Sequence, residues 1–247
     1  MRIKALLISQ PEPKDERSPF YDLQEKYNVK LTFNKFFRVE PIPSIDFLKE
    51  RIRILDYSAV IMTSRTAIEH FFRICKETRV EVPSKMQFFC LSESYALYLQ
   101  KFTTYRKRKI FYPKTKDKSL KDLILKHRDE KFLMPTSNIC NSDIPQFLES
   151  NNIKYTPVIL FNTLTSDLSV IDIHSFDIVA FFSPAGIKSL FENFKNFHQD
   201  ELKIAAFGEH TINAVKEAGL RLDIEAPTPQ APSMKMALEQ YIKNFNK

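Results

Sequence analysis

Phe181-Phe182-Ser183-Pro184-Ala185-Gly186-Ile187 carries an apolar run straight into a helix start, and its recurrence decides the fold. The preceding residues suit a parallel strand covered on both faces. Pro184 suits a first helical turn, where its missing N–H costs nothing. The surrounding Phe176 to Phe191 parallels Asp56 to Phe72, DYSAVIMTSRTAIEHFF. Ile204 to Leu220, IAAFGEHTINAVKEAGL, parallels Phe88 to Phe102, and Ile224 to Leu238 parallels Phe111 to Leu125. Lys4 to Pro11, with a later YNVKLT, is echoed by Lys131 to Asn138 with a later NNIKYT. An offset of roughly 115–130 residues far exceeds the ~20–50 of solenoid repeats, so the repeated unit is a domain. Two similar halves with a site between them are expected.

Short apolar runs alternate with helix-compatible stretches. Residues 3–9, 29–33, 59–63, 87–91, 132–134, 156–161, 178–182 and 203–207 read as strands. Residues 66–77, 94–102, 119–127, 144–151, 185–193 and 211–218 read as helices, the last stopped by Gly219. This alternation predicts an α/β fold, each half a parallel sheet flanked by helices. The proline-stiffened path Phe37 to Pro43 and the stretch Phe161 to Asp167 read as crossings between domains. With both as crossings, residues 1–38 and 165–247 form one discontinuous domain and 39–164 an inserted one; a tandem split near residue 130 competes.

Composition removes several classes. The chain has 247 residues, 43% of them hydrophobic and 27% charged, in the ordinary globular range. No apolar run approaches the ~18–20 residues of a membrane helix. The N-terminal residues, soon followed by charges, read as a buried strand rather than a signal peptide. Three glycines, Gly186, Gly208 and Gly219, cannot build a dinucleotide fingerprint or a P-loop. Cys75, Cys90 and Cys140 stand far apart and read as buried inert thiols of a reducing cytoplasm, with neither a metal nor a disulfide framework. A net charge of +7 suits an anionic partner. The basic run Tyr105-Arg106-Lys107-Arg108-Lys109, continuing into Lys114, Lys116 and Lys118, reads as a solvated loop, with a nucleic-acid patch as the rival.

The candidate site follows from the strand-to-helix turns. Ligands of open α/β sheets bind beyond the carboxyl ends of the strands, where helix N-termini point. Such turns come in pairs: Thr63-Ser64-Arg65-Thr66 with Phe182 to Gly186, Ser92-Glu93-Ser94 with Gly208-Glu209-His210-Thr211, and Pro135-Thr136-Ser137-Asn138 with Ser9-Gln10-Pro11. Lys118-Ser119 and Pro232-Ser233 precede later helices. Each hydroxyl has a plain role as an N-cap. Together the turns form a rim suited to carboxylates. The histidines His70, His127, His174, His198 and His210 are scattered; only His210 falls in such a turn, where a solvated side chain is an equal reading. Taken alone, the residues describe a cofactor-free, two-domain binder of a polyanionic small molecule and leave the reaction open.

At these turns the chain resembles the uroporphyrinogen-III synthase family. The resemblance rests on Asp177 to Ile187, Ala205 to Thr211, and Glu217 to Leu220 followed by Ala226 to Leu238, and upstream on VIMTSRTAI. It implies two similar α/β domains joined by a two-stranded linker, the middle one inserted. It implies an enzyme, a hydro-lyase that closes hydroxymethylbilane in the interdomain cleft while inverting ring D and losing water. The resemblance also implies that no cofactor, metal, nucleic acid or membrane takes part. A cytoplasmic monomer is expected, in transient contact with the upstream hydroxymethylbilane synthase. The substrate-binding residues expected are Ser64, Arg65, Thr136, Ser137, Phe161, Ser183, Ala185, Gly186, Gly208, His210 and Thr211. Thr211 is the candidate for a catalytic role, and no general acid is identified. The chain departs from the family pattern in four places: Phe161 stands in a tyrosine's place, His210 and Thr211 stand where two threonines are frequent, Ser9-Gln10 replaces an early arginine, and Ser92 replaces a glycine. The alternative is a non-catalytic module of the same fold that senses a polyanion.

Overall fold

The computed structural model describes residues 2–15, 17–104, 108–115, 118–139 and 143–246. Tyr105, Arg106, Lys107, Lys116 and Cys140 lie outside the described residues. In chain order the elements are β1 (Ala5–Ile8), α1 (Tyr21–Tyr27), β2 (Lys30–Phe33), β3 (Phe37–Pro41), α2 (Ser44–Lys49), β4 (Ala59–Met62), α3 (Arg65–Glu77), β5 (Gln87–Cys90) and α4 (Glu93–Tyr98). There follow β6 (Ile110–Phe111), α5 (Leu120–Leu125), β7 (Phe132–Ser137), α6 (Asp143–Ser150) and β8 (Tyr155–Thr165). The chain ends with β9 (Ile178–Phe181), α7 (Pro184–Asn193), β10 (Lys203–Phe207), α8 (Glu209–Glu217), β11 (Ile224–Ala226) and α9 (Met234–Phe245).

The chain forms two compact units: one runs up to Arg38 and resumes at Leu164, and the other is Val39–Thr163. The first unit holds a parallel sheet of order β11-β10-β9-β1-β2. In the second the order is β3-β8-β7-β4-β5-β6, parallel from β8 to β6. Numbered within the first unit, its strands run 2-1-3-4-5, a doubly wound order with its switch point between the first and third. The second unit has the same order once β7 and β8 are counted as its first two strands. The repeat is therefore an architectural one, with the strand pair opening one unit and closing the other.

Alternation along the strands explains the double cover. Leu6 and Ile8 of β1 join one core cluster and Leu7 the other, all three fully buried. Val60 and Met62 of β4 separate from Ala59 and Ile61 in the same way. A parallel strand with helices on both faces buries every side chain, so its sequence reads as a continuous apolar run.

The linker is two-stranded. Ile42 N–H donates to Leu160 O (3.0 Å) and Ser166 N–H to Phe36 O (2.9 Å). Pairing advances along one segment as it retreats along the other, so β3 and β8 run antiparallel. The expected strand 156–161 thus continues to Thr165. The expected strand 132–134 also lengthens, to Ser137, which takes Pro135, Thr136 and Ser137 out of the turn and into the sheet. A proline removes one ladder donor, and β7 tolerates it because its pairing with β4 covers only Phe132 and Leu133. Beyond them that flank of β7 is an edge. The expected helix 94–102 is shorter: α4 stops at Tyr98 and a 3-10 turn, Leu99–Lys101, follows.

Candidate functional site: the rims of the two sheets

In the first unit the rim forms at the carboxyl ends of β1, β9 and β10. Ile8 pairs with Ala180 and Ala206 with Phe181; counting on, Gly208 stands level with Ser183. Ser183 adopts an extended N-cap conformation, φ −159°, and its Oγ accepts from Gly186 N–H (3.4 Å). Pro184 is the first helical residue, as the sequence predicts, and Ala185 is half-buried beside it. Gly186 is buried inside α7: a Cβ there would lie 3.1 Å from Phe181 Cδ1 and 3.7 Å from Ser9 Oγ. Its requirement is space, since its φ is ordinary for a helix.

Gly208 differs. Its φ of 86° is open to glycine and strained for other residues, and its N–H donates to Ala226 O (2.7 Å). It starts α8 two residues earlier than expected, so His210 and Thr211 both belong to the first turn. His210 is exposed, whereas Thr211 is only 3% exposed. The counterpart turn in the second unit diverges: Ser92 has φ −147° and no side-chain cap, its Oγ resting 2.9 Å from Ser94 Oγ. Serine fits there because no positive φ is demanded.

In the second unit Ser64 Oγ accepts from Ala67 N–H (3.0 Å) at an N-cap of φ −156°, nearly that of Ser183. Arg65 opens α3 and is exposed, its guanidinium 5.5 Å from the ring centroid of Tyr98. Ser64 follows β4 and Ser137 ends β7, neighbouring strands whose pairing stops at Val60 and Leu133. Thr136 and Ser137 are buried. Ser137 Oγ is already engaged, donating to Ile139 O (2.7 Å) and accepting from Ile139 N–H (3.1 Å). Asn138 extends the sheet with its side chain: its Oδ1 accepts from Thr163 N–H (2.7 Å).

Phe161 does not end its strand. It lies within β8, is 6% exposed and belongs to the core under α3. A bulge is the cause: Thr136 pairs with Ile159, yet Ser137 pairs with Phe161. One extra residue turns Leu160 and Phe161 to the same face, where strict alternation would separate them. His70 stacks on the Phe161 ring. Burial, and then the Arg73 charge, hold the His70 pKa below its ordinary value. Arg73 Nε donates to His70 Nδ1 (3.1 Å), and Nη2 donates to Ile42 O (2.8 Å) and Leu160 O (3.2 Å). Arg73 thus fastens both linker strands to α3. Sequence reading missed it, because spacing shows only its i,i+4 pair with Glu77 (2.8 Å).

Burial pushes the Cys75 and Cys90 thiols up to about 12, which makes them inert as nucleophiles. Among the described residues no group of three or more His, Cys, Asp or Glu comes together as metal ligands do, and no helix is long and apolar enough to cross a membrane.

These features define a two-unit, doubly wound α/β protein with a helix-opening turn, at Ser183 and at Ser64, beside the switch point of each sheet. A family model described as uroporphyrinogen-III synthase HemD matches residues 26–235, and the chain belongs to the uroporphyrinogen-III synthase family. Membership makes it an enzyme of tetrapyrrole biosynthesis, a lyase-type cyclase. Solved structures agree on the fold. A mutant uroporphyrinogen III synthase from the extremely thermophilic bacterium Thermus thermophilus is 14% identical over 98% of each chain, with a TM-score of 0.70. Uroporphyrinogen-III synthetase from Helicobacter pylori is 15% identical over 98% of this chain and all (100%) of that one, with a TM-score of 0.61. A comparison with curated protein sequences found no match.

Proposed function

We propose that the protein converts hydroxymethylbilane into uroporphyrinogen III, as a hydro-lyase acting as a monomer without a cofactor. The observation that carries this reading is the family match together with rim turns at the switch point of each sheet. The substrate is a linear tetrapyrrole octacarboxylate. Backbone amides at Ser64, at Ser183 and Ala185, and at Glu209 and His210 take its acetate and propionate groups, as helix N-termini favour anions.

The chemistry asks mainly for orientation. The ring A hydroxyl leaves as water, and the substituted carbon of ring D attacks the carbon so exposed. The spiro intermediate then reopens and closes with ring D inverted. The uncatalysed closure gives the type I isomer, so the protein's task is to hold ring D in the less accessible geometry. Phe161 has no proton to give, and Thr211 is the rim hydroxyl read as assisting departure of the ring A hydroxyl. Supplying hydroxymethylbilane, oxidising the products and separating the isomers chromatographically tests the reading. Type III is expected; type I alone, at the rate of the protein-free control, refutes it.

A further inference from the structure

Ser9 follows β1 at the switch point of the first unit's sheet. Its N–H donates to Ala180 O (3.0 Å), which ties it to the end of β9. The residue is only 6% exposed. Among the described residues its hydroxyl has no hydrogen-bond partner. Buried hydroxyls without partners are uncommon, because leaving one unsatisfied destabilises the fold. The one fully enclosed side-chain atom without a partner among the described residues is Asn246 Nδ2, so the Ser9 oxygen keeps an opening to solvent.

That oxygen faces the first turn of α7, 3.7 Å from where a Cβ on Gly186 would stand. Pro184 offers no N–H, and the Gly186 N–H is held by Ser183. The amides of Ser183 and Ala185 remain as donors without a partner among the described residues. The Ser9 hydroxyl therefore lies beside the first turn of a ten-residue helix, where two amides and the positive end of the helix open, with Phe181 bounding the core side. One turn further along the rim, Thr211 is a second buried hydroxyl without a described partner. The second unit is different: Ser137, at the end of β7, spends its hydroxyl on Ile139.

We propose that Ser9 is a substrate-binding residue, its hydroxyl donating to a carboxylate oxygen that the amides of Ser183 and Ala185 hold at the first turn of α7. The carboxylate is an acetate or propionate arm of the tetrapyrrole, an identity that rests on the synthase reading above. The first unit then carries the fixed anchor for the substrate.

The test compares the full chain with Ser9→Ala by three measurements: KM and kcat for type III formation, the affinity for uroporphyrin I (a stable cyclic octacarboxylate) by fluorescence titration, and the unliganded Tm. A hydrogen bond to a charged group is lost, so KM and the uroporphyrin Kd are expected to rise about tenfold or more. The Tm stays level or rises, because the unliganded protein loses an unsatisfied hydroxyl. A structural role moves affinity and Tm down together, and that result, or a KM and Kd within about twofold of the parent, overturns the proposal. Should the parent chain make no type III isomer, the synthase reading fails and the uroporphyrin titration alone decides for or against Ser9. A parent chain that binds no uroporphyrin overturns both.

Discussion

His70 lies flat against Phe161, ring centroids 5.0 Å apart and planes 19° from parallel. A tyrosine hydroxyl at position 161 would lie in the plane of the Phe161 ring, within the core where the residue is 6% exposed. A phenol added to this core must find a partner or remain buried without one, at a cost of about 1–3 kcal/mol. Phe161→Tyr is therefore expected to lower stability in urea denaturation by that amount. Where catalysis is mostly orientation, turnover changes by less than roughly tenfold, about 1.4 kcal/mol of barrier. A large gain in turnover would show that a missing acid limits this enzyme.

The same contact sets a pH dependence. Burial is the largest influence on His70 and Arg73 the next, both lowering its pKa, while Glu69 and Glu77 oppose them. The unfolded chain takes up a proton near pH ~6.5, but the folded one resists until lower pH. Between those values the unfolded state binds more protons, so stability rises with pH. His70's contribution is fully present above pH ~6.5 and is lost as the pH falls through the folded value. Tm measured from pH 7.5 down to 5 should decline less steeply in His70→Gln than in the parent, at roughly constant ionic strength. Parallel declines would remove His70 from the linkage.

Ionic strength tests the carboxylate rim. Charges at exposed helix ends and on Arg65 are screened within ~8–10 Å at physiological salt. KM for hydroxymethylbilane is expected to climb steadily from low to high salt, with kcat changing less. A KM that stays flat or falls would mean that apolar contacts with the pyrrole rings hold the substrate.

How much was legible follows from what each residue's neighbours had to reveal. The turn at Ser183 was readable because a strand buried on both faces leaves an unbroken apolar run, and Pro184 then starts the helix by itself. Gly219, at φ 70°, likewise announced the end of α8. Pro135-Thr136-Ser137 misled because turn chemistry and edge-strand chemistry share the same residues; only the parting of β7 from β4 separates them. The burial of Phe161 was hidden for a different reason. A bulge is a property of two paired strands, and nothing in β8 alone marks where Leu160 and Phe161 turn the same way. Ser9 was visible as a turn residue, but an absent hydrogen-bond partner leaves no mark in a sequence.

The most direct measurement is the fraction of type III isomer formed from a fixed amount of freshly prepared hydroxymethylbilane as the protein concentration is raised. Spontaneous closure to type I competes throughout, so an enzyme that inverts ring D must draw product away from it in proportion to its concentration. The expected result is a type III fraction that climbs with protein toward complete conversion. A product that stays type I at every protein concentration would contradict the account.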